Sequence, residues 1–592
     1  MRSVFALYRE VVSILPIQGR RFLWVYSWLL ASLSVLDAAA LGLLAVLIVP
    51  ISAGQAASLP LIGRLDTAGV VIAIVVICAL MIGKGLLSVL LIWWATRRIS
   101  RYEVEIGDRL FRAYITAPWI ERLRRNSSDM LRFSDSGVDT TVNAFLLPGA
   151  TLLGEVVNLL VVIVALAIAQ PVLAAVTLGY LLLLGAILFF WIAKRARTAG
   201  DINVDATVRT SRLILEIVAA MKEVALRNKE SEVAGIVEAS RTRSARARAN
   251  IYFLGQFPRY ALESGIIGGF IVVGGVGFLI GGIDHAITAV ALFGLAGFRM
   301  APAVTRLQSV VSQMISVSGY PRRVLEELHA SELSVASTAD RASRQLPAAP
   351  HVLRVEDATF RYAPDAPPAV ENVTLEIPFG STVAFVGESG SGKSTMVDLL
   401  LGLLEPSDGA LSIDGIPLTE LTRAWRSRVA YVPQDVALFD ASIAQNVALT
   451  WSADYDAGRV QHALELAHLW TLVKGRPDGI ESPIGERGLG LSGGQRQRLG
   501  IARALYSDPI VLVMDEATSA LDTTTEAAVS ESIAAISGNV TLILVAHRLA
   551  TIKGADRIFF MQHGVLAGSG SFEELVERFP DFARQAQLAG LA

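Results

Sequence analysis

Two glycine-rich segments about a hundred residues apart carry residue types that can handle phosphate. The first, residues 387–395, reads GESGSGKST. Its glycines let backbone N–H groups turn inward on phosphate oxygens, Lys393 reaches the β- and γ-phosphates, and the Ser394 hydroxyl is a ligand for Mg²⁺. The residues predicted to contact the nucleotide here are Gly387, Ser389, Gly390, Ser391, Gly392, Lys393, Ser394 and Thr395. The segment therefore predicts a loop that binds ATP together with Mg²⁺.

In the second half of the chain, short apolar runs precede the polar residues that are candidates for binding a ligand. Residues 382–386 precede the glycine-rich loop, 511–514 precede Asp515, and 541–545 precede His547. Buried apolar strands that end in polar residues are typical of a parallel α/β sheet whose ligand lies at the strand ends. We therefore predict an α/β nucleotide-binding domain over residues 351–592.

The first half of the chain has a different composition. The chain has 592 residues, of which 53% are hydrophobic and only 18% are charged, and its mean hydropathy of +0.51 exceeds that of a typical soluble protein. Six segments reach the roughly 20 residues needed to cross a bilayer. They lie near 22–51, 68–96, 144–170, 172–193, 251–281 and 285–316. The sequence thus predicts a membrane domain over residues 1–320, followed by a polar linker over 321–350.

Basic residues set the predicted orientation. The connections after the second and fourth segments are rich in arginine, whereas the connection at 52–67 has only Arg64. By the positive-inside rule, both termini and the nucleotide-binding domain are expected in the cytoplasm of a multi-pass protein of the plasma (inner) membrane. No cleaved signal is expected at the N-terminus. The net charge of −2 gives no indication of a nucleic-acid partner.

The second glycine-rich segment, residues 491–495, reads LSGGQ and resembles the signature motif of the ABC ATPases. The chain as a whole resembles an exporter-type ABC half-transporter. The resemblance implies a membrane all-α domain of six helices, followed by an α/β P-loop ABC ATPase domain. It also implies that the signature of one copy caps the ATP of the other, through Ser492, Gly493, Gly494 and Gln495.

The same resemblance assigns further roles around the nucleotide. It implies that Tyr362 stacks on adenine and that Gln434 senses Mg²⁺ and the attacking water. Residues 519–522 resemble the D-loop, whose Asp522 is predicted to contact the nucleotide. Three more residues complete the set: Asp515 as a Mg²⁺ ligand through water, Glu516 as the base for the hydrolytic water, and His547 as a contact to the γ-phosphate.

Each of these residues also has an ordinary structural interpretation. Tyr362 can be a strand aromatic, Glu516 a carboxylate at a helix N-terminus, and His547 a hydrogen-bonded histidine at a strand end. Their order and spacing favour the ATPase interpretation. Because one chain has a single complete set with no degenerate position, we expect a homodimer with two composite ATP sites.

Charged residues inside the predicted spans could contact the substrate that is transported, here called the cargo. Lys84, Arg259, Arg299 and Arg306 are the candidates for substrate contacts. Arg299 and Arg306 are two helical turns apart and would share one face, which suits an anionic head group. The alternatives are pairing of Arg259 with Glu263 and, for Lys84, snorkelling or pairing with Asp37 or Glu155.

The membrane half also resembles the flippases of lipid-linked oligosaccharides, through residues 257–263, 221–224 and the paired arginines. The resemblance implies movement of a polyprenyl-diphosphate-linked oligosaccharide from the inner to the outer leaflet. A general lipid or drug exporter is the alternative.

Overall fold

A computed structural model describes residues 2–52, 58–59, 63–64, 67–124, 127–169, 171–339, 344–485, 488–517, 540–545, 549–588 and 591. The chain divides into two compact units. The first, the helical unit, comprises Met1–Ala117 and Arg122–Ala336. The second, the sheet unit, comprises Pro118–Glu121 and Ser337–Ala592. A four-residue piece from the first half of the sequence therefore belongs to the second unit.

Long helices dominate the first half of the chain. In chain order they are α1 Arg2–Ile14, α2 Ile17–Ser52, α3 Thr67–Thr116, α4 Trp119–Arg124, α5 Ser127–Arg132, α6 Leu147–Ala169, α7 Pro171–Ala219, α8 Met221–Leu226, α9 Glu230–Val317 and α10 Gly319–Ala339. Two π-helical segments, Phe133–Gly137 and Thr140–Leu146, lie between α5 and α6. A short antiparallel pair, β1 Ser58–Leu59 and β2 Gly63–Arg64, follows α2.

The described residues of the predicted membrane spans lie in these helices and, for residues 144–146, in the second π-helical segment. Among the described residues, three segments are long and apolar enough to cross a bilayer: Ala68–Thr116, Phe133–Val161 and Glu230–Leu279. Side chains on their apolar stretches are widely exposed, as in Ile271 at 77% and Val89 at 66%. Such apolar exposure suits contact with lipid rather than water.

The fifth and sixth predicted spans lie in the single helix α9, which is broken near its middle. Gly281 and Gly282 leave helical geometry, and Gly282 has a φ of +74° that side-chain-bearing residues rarely adopt. The break lies at the last residue of the fifth predicted span and the first residue of the connection that follows it. The predicted linker is partly helical, because α10 continues to Ala339.

Within the described residues, the sheet unit contains two sheets. Its strands are β3 Val352–Phe360, β4 Val370–Pro378, β5 Thr382–Val386, β6 Asp408–Ile413, β7 Ile416–Pro417, β8 Val429–Val432, β9 Val511–Asp515, β10 Thr541–Val545, β11 Arg557–Gln562 and β12 Val565–Gly570. The larger sheet has six strands in the order β12-β11-β5-β10-β9-β8, and the smaller has four in the order β4-β3-β6-β7.

Helices pack around these sheets. They are α11 Lys393–Leu400, α12 Leu418–Arg426, α13 Ile443–Ala448, α14 Ala457–Leu466, α15 Trp470–Lys474, α16 Gly493–Tyr506, α17 Leu549–Ile552, α18 Phe572–Arg578 and α19 Pro580–Leu588, with a 3₁₀ turn at Gly479–Glu481. In the larger sheet all neighbouring strands are parallel except β11 and β12. The first four residues of β9 are all buried, as expected for a parallel strand covered on both faces.

The parallel order places the predicted chemistry at one edge of the sheet. The chain leaves β5 at Val386 for the glycine-rich loop and leaves β8 at Val432 just before Gln434, while β9 ends at Asp515. The carboxyl ends of parallel strands meet at the same edge. Residues far apart in the sequence are therefore brought together there.

The segment Pro118–Glu121 completes the sheet unit. Trp119 and Ile120 pack against the apolar cluster that contains Phe385, Met396 and Trp425.

Candidate ATP-binding site

The glycine-rich loop connects β5 to α11. Gly387, Gly390 and Gly392 have φ values of +148°, +82° and +96°. A side chain at Gly387 would collide with the carbonyl oxygen of Met561, so both the backbone angle and the available space require glycine there. The loop leads directly into the N-terminus of α11, and a helix N-terminus attracts anions.

Lys393 is the basic residue within this loop. Only 6% of its surface is exposed. Its Nζ donates hydrogen bonds of 2.8 Å to the carbonyl oxygens of Gly387 and Glu388. Burial lowers the pKa of Lys393, and the nearby carboxylates of Glu516 and Asp515 oppose that effect. The ammonium group therefore lies inside the loop that would surround the phosphates.

Three hydrogen bonds position Glu516, one to its side chain and two to its backbone. Its Oε2 accepts a 2.9 Å hydrogen bond from Nε2 of Gln434, its backbone N–H donates to the carbonyl oxygen of Val545 at 2.9 Å, and its own carbonyl oxygen accepts from Gln497 at 3.1 Å. The backbone φ of Glu516 is +49°, which is uncommon for a residue with a side chain. Such strain is maintained only where surrounding contacts enforce it, and it concentrates at functional sites.

Asp515 precedes Glu516 and is bonded to a tyrosine. The hydroxyl of Tyr431 donates to Oδ2 of Asp515 at 3.1 Å. Burial, reinforced by Asp515, raises the pKa of Tyr431, so the phenol is protonated and serves as a donor at neutral pH. Tyr431 thereby orients one oxygen of the predicted Mg²⁺ ligand.

Asp398 on α11 lies close enough to Asp515 for the two carboxylates to interact electrostatically. Burial raises the pKa of Asp398 to about 6, the Trp119 side chain lowers it in part, and Asp515 raises it further. The residue connects the edge of the site to the packed segment Pro118–Glu121.

Two other predicted contacts have well-defined positions. The Tyr362 hydroxyl lies 3.0 Å from Oγ1 of Thr395, and its ring packs edge-on against Phe360. Ser492 caps α16, accepting from the backbone N–H of Gln495 while the Gln495 side chain accepts from the backbone N–H of Ser492. Gly493 and Gly494 form the first turn of α16, which presents backbone N–H groups at a positive helix end. Contact of Tyr362 and of this signature segment with nucleotide remains a prediction.

Some predicted residues lie outside the described part of the chain. They are Asp522 and His547. For Mg²⁺, the described candidates Ser394, Gln434 and Asp515 offer hydroxyl, amide and carboxylate oxygens, which suit this hard cation. The residues therefore fit the ion.

The candidate cargo residues lie in the helical unit. Arg259 contacts Glu263 at 3.0 Å on α9, which is the intrahelical pair considered from the sequence. Arg306 donates from Nε to both carboxylate oxygens of Glu155 on α6, at 3.1 and 3.0 Å. Lys84 lies half-buried on α3, and the structure describes the backbone of Arg299 on α9 but not its side chain.

Sequence reasoning missed several residues of the site. Asp398 could have been noticed as a lone charge in the apolar run 396–401, and Tyr431 as a polar-tipped residue three positions before Gln434. Gln497 and Trp119 gave no such signal. Their partners are distant along the chain and are identified only from the fold.

Comparison with known proteins identifies the architecture. Residues 370–519 match the sequence model of the ABC transporter family. A solved bacterial Atm1-family ABC exporter with ATP bound superposes with a TM-score of 0.76, covering 97% of this chain and 99% of that chain at 22% identity. This chain has the fold of an exporter-type ABC half-transporter. Its sheet unit contains the ATP-binding ABC domain, which confirms the predicted α/β P-loop fold.

Curated relatives share part of this chain's sequence. ATP-dependent lipid A-core flippases are 45% identical over 229 residues in Ralstonia nicotianae and 40% identical over 233 residues in Photobacterium profundum. The matches cover 38% and 39% of this chain, and 39% and 40% of those relatives. The match thus spans about two fifths of the relatives' length.

Proposed function

We propose that this half-transporter is an ATP-driven flippase that moves a phosphate-bearing lipid from the inner to the outer leaflet. The observation that carries the proposal is the Gln434–Glu516 hydrogen bond at the sheet edge, in a chain whose other unit consists of long apolar helices. The names of the relatives support a lipid as the cargo.

The roles at the ATP site follow from the described contacts. Lys393 and the N-terminus of α11 would bind the β- and γ-phosphates, and Ser394 with Asp515 would hold Mg²⁺. When bound, Mg²⁺ neutralises charge on the phosphates. Glu516 would accept a proton from the attacking water, and the Gln434 amide keeps that carboxylate in position.

We propose that two copies assemble as a homodimer. Each chain has one signature segment at the start of α16 and one phosphate loop. If the signature of one copy caps the ATP of the other, two equivalent sites form. The ATPase would lie on the cytoplasmic side of the inner membrane.

The cargo proposed first is a polyprenyl-diphosphate-linked oligosaccharide. Arg306 uses Nε for Glu155, and a guanidinium has further N–H donors with which to bind a phosphate. Arg299 lies seven residues away on the same helix. The names of the relatives favour a second phosphate-bearing candidate, a glycolipid of the lipid A-core class.

Reconstituted vesicles test the proposal. ATP added outside acts only on copies whose ATPase faces outward, and a fluorescent polyprenyl-diphosphate-linked glycan should then be lost from the outer leaflet, as measured with an impermeant glycosidase. Replacing Arg299 and Arg306 with Gln should abolish this movement, because each lost charge-assisted contact costs about 1.5–3 kcal/mol. Basal ATPase activity should persist.

Glu155→Gln is the matched control. If the Arg306 pair with Glu155 is only structural, Glu155→Gln should harm flipping as much as Arg306→Gln does. If Arg306 binds cargo, Glu155→Gln should retain flipping. Normal flipping by the double Arg→Gln variant would refute the anionic cargo and favour a general lipid or drug exporter.

A further inference from the structure

Two pairs of a tryptophan and an arginine lie where the apolar part of a long helix meets its basic part. On α3 the apolar stretch ends near Trp93, and Arg97 begins a run of arginines. On α7 the apolar stretch ends near Trp191, and Lys194 and Arg195 follow. Both rings are exposed, Trp93 at 55% and Trp191 at 41%. Tryptophan at such a boundary is typical of the level at which lipid head groups meet hydrocarbon.

Each arginine stacks on the tryptophan one helical turn before it. The guanidinium carbon of Arg97 lies 4.5 Å from the ring centre of Trp93. The guanidinium carbon of Arg195 lies 3.9 Å from the ring centre of Trp191. A guanidinium that stacks by its face still presents the N–H donors along its edge. Stacking therefore holds the group in place and leaves that edge open to an anion.

Neither guanidinium is neutralised within the described part of the chain. Arg97 and Arg195 are exposed, and no described carboxylate forms an ion pair with either of them. Arg323 on α10 provides the contrast, because it lies over Phe133 at 5.7 Å but also pairs with Asp205 at 2.8 Å. The two exposed pairs thus combine an uncompensated positive charge with an apolar surface, which complements a lipid with an anionic head group.

Both pairs face away from the core of the helical unit. Ala95 and Ile99, which flank the pair on α3, are buried in the same apolar cluster as Ile192 on α7. The ring of Trp191 is supported from the side by Phe257 on α9, with ring centres 5.1 Å apart. The pairs therefore lie on the outer surface of the helices, where a membrane lipid can reach them.

We propose that Trp93 with Arg97, and Trp191 with Arg195, form two clamps that bind an anionic phospholipid of the surrounding bilayer. This lipid is distinct from the cargo. The guanidinium edge binds the lipid phosphate, and the tryptophan ring contacts the upper part of the acyl chains. A zwitterionic lipid has the same phosphate but also a cationic group that the arginine repels, so the clamps favour net negative charge. Such binding requires only that the helical unit lies in a membrane, whatever the transporter moves.

Native mass spectrometry of protein released from nanodiscs tests the two clamps. The nanodiscs contain equal amounts of phosphatidylglycerol and phosphatidylcholine with identical acyl chains. Wild-type protein should retain phosphatidylglycerol with a preference of about fivefold at each clamp, as expected for one basic residue near an anionic lipid. The double variant Arg97→Gln, Arg195→Gln should lose most of this preference. Lys at both positions should retain part of it, because the charge remains while the planar fork is lost.

Matched variants distinguish the clamps from positive charge in general. Arg323→Gln removes a stacked arginine that is already paired with Asp205, and it should leave the lipid preference unchanged. Replacing Trp93 and Trp191 with Leu keeps the surface apolar but removes the rings, and it should reduce the preference. A single symmetric peak in size-exclusion chromatography identifies the variants that are folded.

Equal retention of the two lipids by wild-type protein would overturn the proposal, as would an unchanged preference in the double Gln variant or an equal loss in Arg323→Gln. Displacement of phosphatidylglycerol by inorganic phosphate would also overturn it, because the arginines would then bind a free anion rather than a lipid. So would disulfide linkage of two copies through Trp93→Cys in a Cys78→Ser background, because a second copy would then cover this surface.

Discussion

Replacing Asp398 with Asn should stabilise the sheet unit, and the gain should depend on pH. In the folded protein the pKa of Asp398 is raised to about 6 from 3.8, chiefly by burial. The folded state therefore holds the proton more tightly than the unfolded state. Stability that is fully present below pH 3.8 is lost as the pH rises through about 6.

The size of the effect follows from this shift. Each pKa unit corresponds to about 1.4 kcal/mol. Because the side chain is only partly buried, solvent screening reduces the penalty to about 1–2 kcal/mol. The Asp398→Asn substitution removes the ionisable group, so at pH 7.5 the melting temperature of the variant should exceed that of the wild type by about 3–6 °C. The difference should disappear near pH 4.

Limited proteolysis over a temperature series measures this difference in melting temperature in the full-length, detergent-solubilised protein. Peptides from residues 351–592 are the readout. A single heating rate is needed because unfolding can be irreversible. Asp365→Asn alters an exposed loop carboxylate and serves as the control. An equal shift at pH 4 and pH 7.5, or a loss of stability at pH 7.5, would refute the reasoning.

Two further predictions concern turnover and topology. Glu516→Gln should retain ATP binding while phosphate release falls at least ~10²-fold, because the base for the water is lost; turnover close to wild type would rule out this role. In a Cys78→Ser background, a cysteine at Ser58 should react with an impermeant thiol reagent added outside intact cells, and one at Arg112 should not. Labelling of the Arg112 position alone would reverse the proposed orientation.

Local patterns were sufficient to predict the α/β sheet and its ligand edge. Strands β5 and β9 read as short apolar runs, each followed by polar residues, and such a pattern needs no knowledge of distant contacts. The resemblance predicts a role at the ATP site for Gln434 and another for Glu516, without relating the two residues. In the structure a hydrogen bond joins them.

Long-range pairings could not be predicted in the same way. Glu155 and Arg306 are 151 residues apart, and the sequence offered Lys84 as an alternative partner for Glu155. Which cation reaches the carboxylate depends on how α6 packs against α9.

The small piece Pro118–Glu121 has a consequence for biosynthesis. Trp119 and Ile120 pack on a core whose other members are translated much later. Domains generally fold as units and in order of synthesis, but this unit cannot be complete until an earlier, membrane-tethered segment reaches it. A sheet unit expressed from residue 337 onward would leave the apolar surface beneath Trp119 open to water, and that surface would be a site for aggregation or chaperone binding. In the intact chain, Trp119 and Ile120 cover this surface.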